Sequence, residues 1–120
     1  MTRIIEPGAR RGEVRAPASK SQAHRYLICA ALTEHQVKVE NAGEAQDIRA
    51  TRECLSALLN ADGGLRRLDC GESGTTLRFL LPLAGALGID AEFILRGRLP
   101  ARPIEPLARE LCAHGMSIER

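Results

Sequence analysis

The chain has 120 residues, 44% of them apolar and 27% charged, the size and balance of one soluble domain or part of one. Seventeen basic residues against fifteen acidic ones leave a net charge of +2, too little for a general DNA binder. Aromatic residues make up only 2%, with no Trp, so the stacking platforms that single-stranded nucleic acid requires are missing and the core must be Leu, Ile, Val and Ala. The N-terminus carries no signal-peptide stretch, and the longest uncharged apolar run, residues 79–89, is interrupted by Pro82 and far short of the ~20 residues of a membrane helix. Cys29, Cys54, Cys70 and Cys112 form no C-x-x-C pair and have no His at zinc-finger spacing, so no metal is expected. Each is read as a small buried hydrophobe in a cytoplasmic protein with reduced thiols.

In chain order, residues 3–5 and 12–16 read as two short strands around the Pro7-Gly8 turn, and Pro17 ends the second. Ser19 or Ser21 caps a helix carrying Ala23, Tyr26, Leu27, Ala30 and Ala31 at helical spacing and ending near Glu34. Residues 36–41 alternate Val37 and Val39 and read as a strand. A second helix over residues 46–60 lines up Ile48, Thr51, Leu55, Leu58 and Leu59, with Asp47 at the positive end of its dipole. Asp62-Gly63-Gly64 is a turn, and residues 65–69 are a brief charged strand. The polar loop at residues 70–76 runs into a third helix over residues 77–87, where Pro82 predicts a kink or a late start and Gly88 a stop. Residues 91–95 form a strand, Pro103 opens a fourth helix ending near His114 with Gly115 as its cap, and residues 116–119 begin another strand. Helices alternating with strands give an α/β class.

Three segments carry chemistry. Ser19-Lys20-Ser21 with Arg25 sits at a strand-to-helix junction, where free N–H groups, a hydroxyl and two cations suit an oxyanion. A capped helix with two solvated cations explains the same residues equally well. Residues 71–78, Gly-Glu-Ser-Gly-Thr-Thr-Leu-Arg, resemble a phosphate-cradling loop, although no Lys precedes the Ser/Thr as in a Walker A loop. Arg96, Arg98 and Arg102, the last just before Pro103, present guanidinium groups suited to carboxylate or phosphate. Taken alone, the second and third are better explained as a turn with a Ser/Thr helix cap and as a solvated Arg-rich loop. Together, all three place cations or polar glycine loops at helix starts, an arrangement for a doubly anionic small molecule. His24, His35 and His114 are scattered and read as surface or cap residues, so no general acid or base is identified.

Taken in order, the three segments resemble the N-terminal part of the 3-phosphoshikimate 1-carboxyvinyltransferase (EPSP synthase) family. Residues 16–25 look like its P-x-S-K-S-x-x-x-R segment, residues 71–81 like its G-x-x-G-T-x-x-R loop and helix, and residues 97–107 like its R-P-I segment. UDP-N-acetylglucosamine enolpyruvyl transferases fit less well: they usually have Lys-Asn where Lys20-Ser21 stands, and a reactive Cys in the loop corresponding to residues 96–102. The resemblance implies that Lys20 touches both shikimate 3-phosphate and phosphoenolpyruvate. Ser21 and Arg25 then hold shikimate 3-phosphate, the backbone at Gly74 and the guanidinium of Arg102 hold phosphoenolpyruvate, and Thr75 and Arg78 shape the loop around them. The implied reaction adds the shikimate 5-hydroxyl to C2 of phosphoenolpyruvate and eliminates phosphate, with no metal or organic cofactor.

The implied fold is an incomplete portion of an inside-out α/β barrel built from βαβαββ units. Residues 1–18 would be N-terminal strands that pack with a second domain, and residues 19–120 a partial N-terminal domain. Family members are several times longer, with the acid/base carboxylates in the part not present here, so the 120-residue chain is expected to be inactive alone. The family also usually has more strand and loop between Asn60 and Leu68, and Asp or Glu where Gln46 stands. A missing strand predicts an open sheet edge, through which the chain would self-associate; the absent second domain is the other expected partner. The alternative to the enzyme reading is a non-catalytic anion-binding or scaffold domain derived from this family. Neither nucleic acid nor membrane is an expected partner.

Overall fold

A computed structural model describes residues 2–60 and 63–119. The elements run α1 Lys20–Leu32, α2 Gln46–Leu59, β1 Arg66–Gly71, α3 Gly74–Leu87, β2 Ala91–Leu95, a 3-10 turn at Leu99–Ala101, and α4 Glu105–Ala113. Among the described residues the sheet is a single parallel pair, β1 beside β2, joined through α3 as a βαβ unit. The protein is therefore mixed α/β with a small parallel sheet.

Helix α2 forms because its apolar positions recur every three or four residues. Ile48, Thr51, Cys54, Leu55 and Leu58 are buried along one face, and Asp47 occupies the first turn. Helix α3 begins three residues earlier than residue 77 because Ser73 caps it, its Oγ accepting the Thr76 N–H at 3.2 Å. Pro82 thus lies inside a continuous helix, and no late start is seen. The helix stops where Gly88 turns left-handed at φ 65°, with Ile89 N–H donating to Ala84 O and Gly88 N–H to Gly85 O. Helix α4 ends the same way at Gly115. It starts later than expected, because Arg102 is held extended before Pro103 and Ile104 is not helical. Pro106, rather than Pro103, stands in its first turn.

The main core joins α2, β1, α3 and the 3-10 turn through Cys54, Leu55, Leu58, Leu68, Cys70, Leu77, Leu80, Ala84 and Leu99. A smaller cluster of Ala23, Ala42 and Ile48 fastens α1 to α2. Cys54 and Cys70 are buried as expected, and the Cys54 contact together with burial pushes the Cys70 thiol up, so it stays protonated. Cys29 and Cys112 are exposed, against expectation. The reason for Cys112 is that α4 buries none of its residues, while Cys29 faces away from the cluster that Ala23 joins.

Four expected strands are not formed. Residues 3–5, 12–16, 36–41 and 116–119 have no ladder partner. A strand is stable only when a neighbour satisfies its N–H and C=O groups. Residues 2–18 are exposed throughout, with Ile4, Ile5 and Val14 facing solvent. Val39 does pack on the small cluster, but Val37 does not. Of the expected turn at residues 62–64, Asp62 lies outside the described residues, while Gly63 and Gly64 both have positive φ.

The C-terminal ends of the two strands are cross-linked by charge. Arg96 clasps Asp69 through Nε at 3.1 and 3.0 Å and Nη2 at 2.5 Å, and the Gly71 N–H donates to Asp69 Oδ1 at 3.0 Å. These bonds hold the Asp69 carboxyl below its ordinary value of 3.8. A depressed carboxylate stabilises the fold above its unfolded pKa, and that stabilisation is lost as pH falls through the folded value. A carboxyl-detected NMR titration should find the Asp69 midpoint below 3.8, returning most of the way in Arg96→Ala. An unchanged midpoint in that variant would rule out Arg96 as the cause.

Candidate anion-binding site

The first group of cations sits where α1 begins. Ser19 is the N-cap but makes no side-chain capping bond, so its hydroxyl does not occupy the first-turn N–H groups. Lys20 Nζ donates to Asp47 Oδ2 at 2.9 Å, joining the start of α1 to the start of α2, with both side chains substantially exposed. Arg25 folds back along the helix, its Nη1 donating to Ser21 O at 2.6 Å and its guanidinium lying 5.4 Å from the centre of the Phe79 ring. Arg25 thus reaches the backbone of Ser21 four residues earlier, as the i, i+4 spacing predicts, while Lys20 turns to the start of α2.

The second group forms around Gly74, the first residue of α3. A Cβ added there would lie 2.7 Å from Arg78 Nη1, 3.1 Å from Arg102 Nη1 and 3.5 Å from Leu99 Cδ1. Two guanidinium groups thus converge on one glycine, which is buried while both arginines are exposed. Arg78 Nη2 donates to Pro103 O at 3.4 Å, and the Arg102 N–H to Leu99 O at 3.0 Å. Neither arginine pairs with a carboxylate among the described residues. Like charges held this close are best compensated by an anion between them, and the N–H groups at the start of α3 add to the same field. Arg96 is committed to Asp69, so of the three arginines in its segment Arg102 is the one delivered to Gly74. Gly97, at φ 54°, lets the Glu72 carboxylate pack against the backbone of that loop.

A buried polar chain links these groups. His24 Nδ1 lies 2.8 Å from Thr51 Oγ1, Thr51 Oγ1 lies 2.7 Å from Thr76 Oγ1, and Thr76 Oγ1 lies 2.7 Å from Ser73 Oγ. Thr76 Oγ1 also lies 3.4 Å from the Asp47 carbonyl. His24, Thr51, Ser73 and Thr76 are all buried, with His24 edge-on to Phe79. Sequence reasoning put His24 on the surface and Thr51 in an apolar row, and saw at residues 73–76 a turn with a Ser/Thr cap, which Ser73 supplies, but not the buried chain. The visible signal was a hydroxyl at position 51 of an otherwise aliphatic stripe. Thr75, which the resemblance singles out, is half-buried beside Gly74, and its side chain makes no hydrogen bond among the described residues.

Burial lowers the His24 pKa below 6.5; Asp47 opposes this and Lys20 and Arg25 reinforce it. The unfolded chain therefore takes a proton at His24 that the folded chain resists. Stability from this residue is complete above pH 6.5 and falls as pH drops from there through the folded pKa. Denaturant melts should show that decline, and it should be smaller in His24→Gln. Equal pH slopes in the two proteins would contradict the assignment.

A family model described as EPSP synthase (3-phosphoshikimate 1-carboxyvinyltransferase) matches residues 5–64 and 59–120. The chain belongs to the EPSP synthase family. The 3-phosphoshikimate 1-carboxyvinyltransferase of Clostridium beijerinckii is 39% identical over 124 aligned residues, covering 84% of this chain and 28% of that protein. The protein of the same description from Clostridium perfringens strain SM101 is 36% identical, over 85% of this chain and 28% of its own length. That from Clostridioides difficile strain 630 is 33% identical, over 84% and 29%. The chain thus spans just over a quarter of the length of these EPSP synthases. No solved structure matches. Among the described residues, no group of three or more His, Cys, Asp or Glu side chains is placed to hold a metal ion, and no helix is long and apolar enough to cross a membrane.

Proposed function

We propose that this chain forms one half of a site for shikimate 3-phosphate and phosphoenolpyruvate, and that the complete site transfers the enolpyruvyl group to the shikimate 5-hydroxyl with release of phosphate. The observation that supports this most is the convergence of Arg78 and Arg102 on Gly74. Arg102 and the Gly74 backbone would hold phosphoenolpyruvate, with Arg78 and Thr75 shaping the loop. Ser21 and Arg25 would hold shikimate 3-phosphate, and Lys20 would touch both. In that role Lys20 exchanges its contact with Asp47 for the ligand anion, a small loss because the pair is solvent-exposed.

Chemically, these residues bind, orient and offset negative charge in the addition step. Proton transfer falls to groups supplied by the rest of the site, so the chain is inactive alone. In the complete cytoplasmic enzyme, the α/β unit would be part of an inside-out barrel of βαβαββ repeats, and residues 1–18 would pair with a second domain.

The test is a titration of the isotope-labelled chain with shikimate 3-phosphate and, separately, inorganic phosphate. Saturable amide shifts at residues 20–25 with shikimate 3-phosphate, weaker with phosphate and lost in Lys20→Ala, support the reading. Equal responses to both ligands would favour the alternative, a non-catalytic anion-binding or scaffold domain. No response to either would overturn both.

A further inference from the structure

We propose that the buried chain His24, Thr51, Thr76 and Ser73 couples the start of α1 to the start of α3, with His24 as a positioning residue that sets which way the hydroxyl protons point. The coupling of two ligand groups rests on the functional reading above; the hydrogen-bond chain itself does not.

Each hydroxyl has one proton to give, so the chain has a direction. When His24 Nδ1 carries no proton, it accepts from Thr51 and Thr51 accepts from Thr76, so the Thr76 hydroxyl is turned away from Ser73 Oγ. When Nδ1 carries a proton, it donates to Thr51, Thr51 donates to Thr76, and Thr76 donates to Ser73 Oγ or the Asp47 carbonyl. Ser73 Oγ then receives the Thr76 hydroxyl proton, which it lacks in the first arrangement. Ser73 caps α3 immediately before Gly74, while its Oγ accepts the Thr76 N–H in both arrangements. The hydroxyl of the residue before Gly74 therefore reports the state of a ring on another helix.

The charges around His24 give the ring a reason to respond. Lys20 and Arg25 on its own helix disfavour a second proton, Asp47 on α2 favours it, and α3 presents the uncharged Phe79 ring. An anion received by Lys20 and Arg25 offsets the two cations and favours the protonated ring. With the neutral ring carrying its proton on Nε2, binding at α1 would thus reverse the proton order and add the Thr76 hydroxyl bond to Ser73 at α3.

The test follows the His24 ring and the backbone amides of the full 120-residue chain by NMR from about pH 8 to about pH 5. The amides of Ser73, Gly74 and Thr76 should move with the His24 midpoint. Thr51→Val, which keeps the volume and removes the hydroxyl, should abolish that co-titration, and Thr51→Ser should retain it. If those amides ignore the His24 midpoint in the wild type, the proposal is overturned. Shikimate 3-phosphate should then raise the His24 midpoint and shift residues 73–76 in the wild type but not in Thr51→Val. Shifts at residues 20–25 with an equal response of residues 73–76 in both proteins would overturn the coupling. No shift at residues 20–25 would overturn the functional reading, while the pH series still decides the hydrogen-bond chain.

Discussion

Gly74→Ala is expected to weaken binding of phosphate-bearing ligands about 10- to 100-fold, the loss of one charge-assisted hydrogen bond or its equivalent. The new methyl group would sit 2.7 Å from Arg78 Nη1 and 3.1 Å from Arg102 Nη1, too close for either to stay where it lies. Both are ends of long exposed side chains, so they would swing outward rather than strain the backbone. The φ of Gly74 is not in the left-handed region, and Ala is the better helix former, so thermal stability should stay the same or rise slightly. Calorimetric titration with shikimate 3-phosphate and phosphoenolpyruvate, paired with a thermal melt, separates the two effects. Wild-type affinity in Gly74→Ala would show that the guanidinium groups do not act at this point. A large fall in melting temperature would show that the glycine is there for packing.

Leu99→Ala should lower stability by about 2–5 kcal/mol, a drop of roughly 10 °C or more in melting midpoint for a chain of this size. Leu99 is 1% exposed and belongs to the core built by α2, β1 and α3, although it stands on a three-residue turn in an otherwise exposed loop. It is the anchor of that loop. Its carbonyl accepts the Arg102 N–H at 3.0 Å, and its Cδ1 reaches within 3.5 Å of the Gly74 Cβ position. The cavity should therefore also loosen Arg102 and reduce anion affinity. Leu87→Ala, at a residue 42% exposed, should change stability by less than about 0.5 kcal/mol and serves as the control. A Leu99→Ala protein that melts with the control would mean that the loop is not held by its apolar anchor.

The helices were largely legible in the sequence because their signals are local. The three-and-four spacing of Ile48, Thr51, Leu55 and Leu58, the dipole position of Asp47 and the stop at Gly88 are properties of short stretches. The strands were legible only where the chain provides their partner. Residues 66–71 and 91–95 pair through α3, whereas residues 3–5, 12–16 and 36–41 have similar composition but no neighbour to bond. The three anion segments could be read one at a time, from glycines, cations and helix starts.

The amino-acid sequence by itself determined the α/β class, the helices, the family resemblance and the residue types available to meet an anion. Tertiary structure alone decided which of those residues meet. Arg96 is spent on Asp69, while Arg102, six residues later, reaches Gly74 because Leu99 is drawn into the core. His24 turns inward because α2 offers it Thr51, a partner 27 residues away that no local pattern reveals. Local propensity acts over a few residues, but charge pairing and burial act through space, and only the folded chain brings those distances down to hydrogen-bond length.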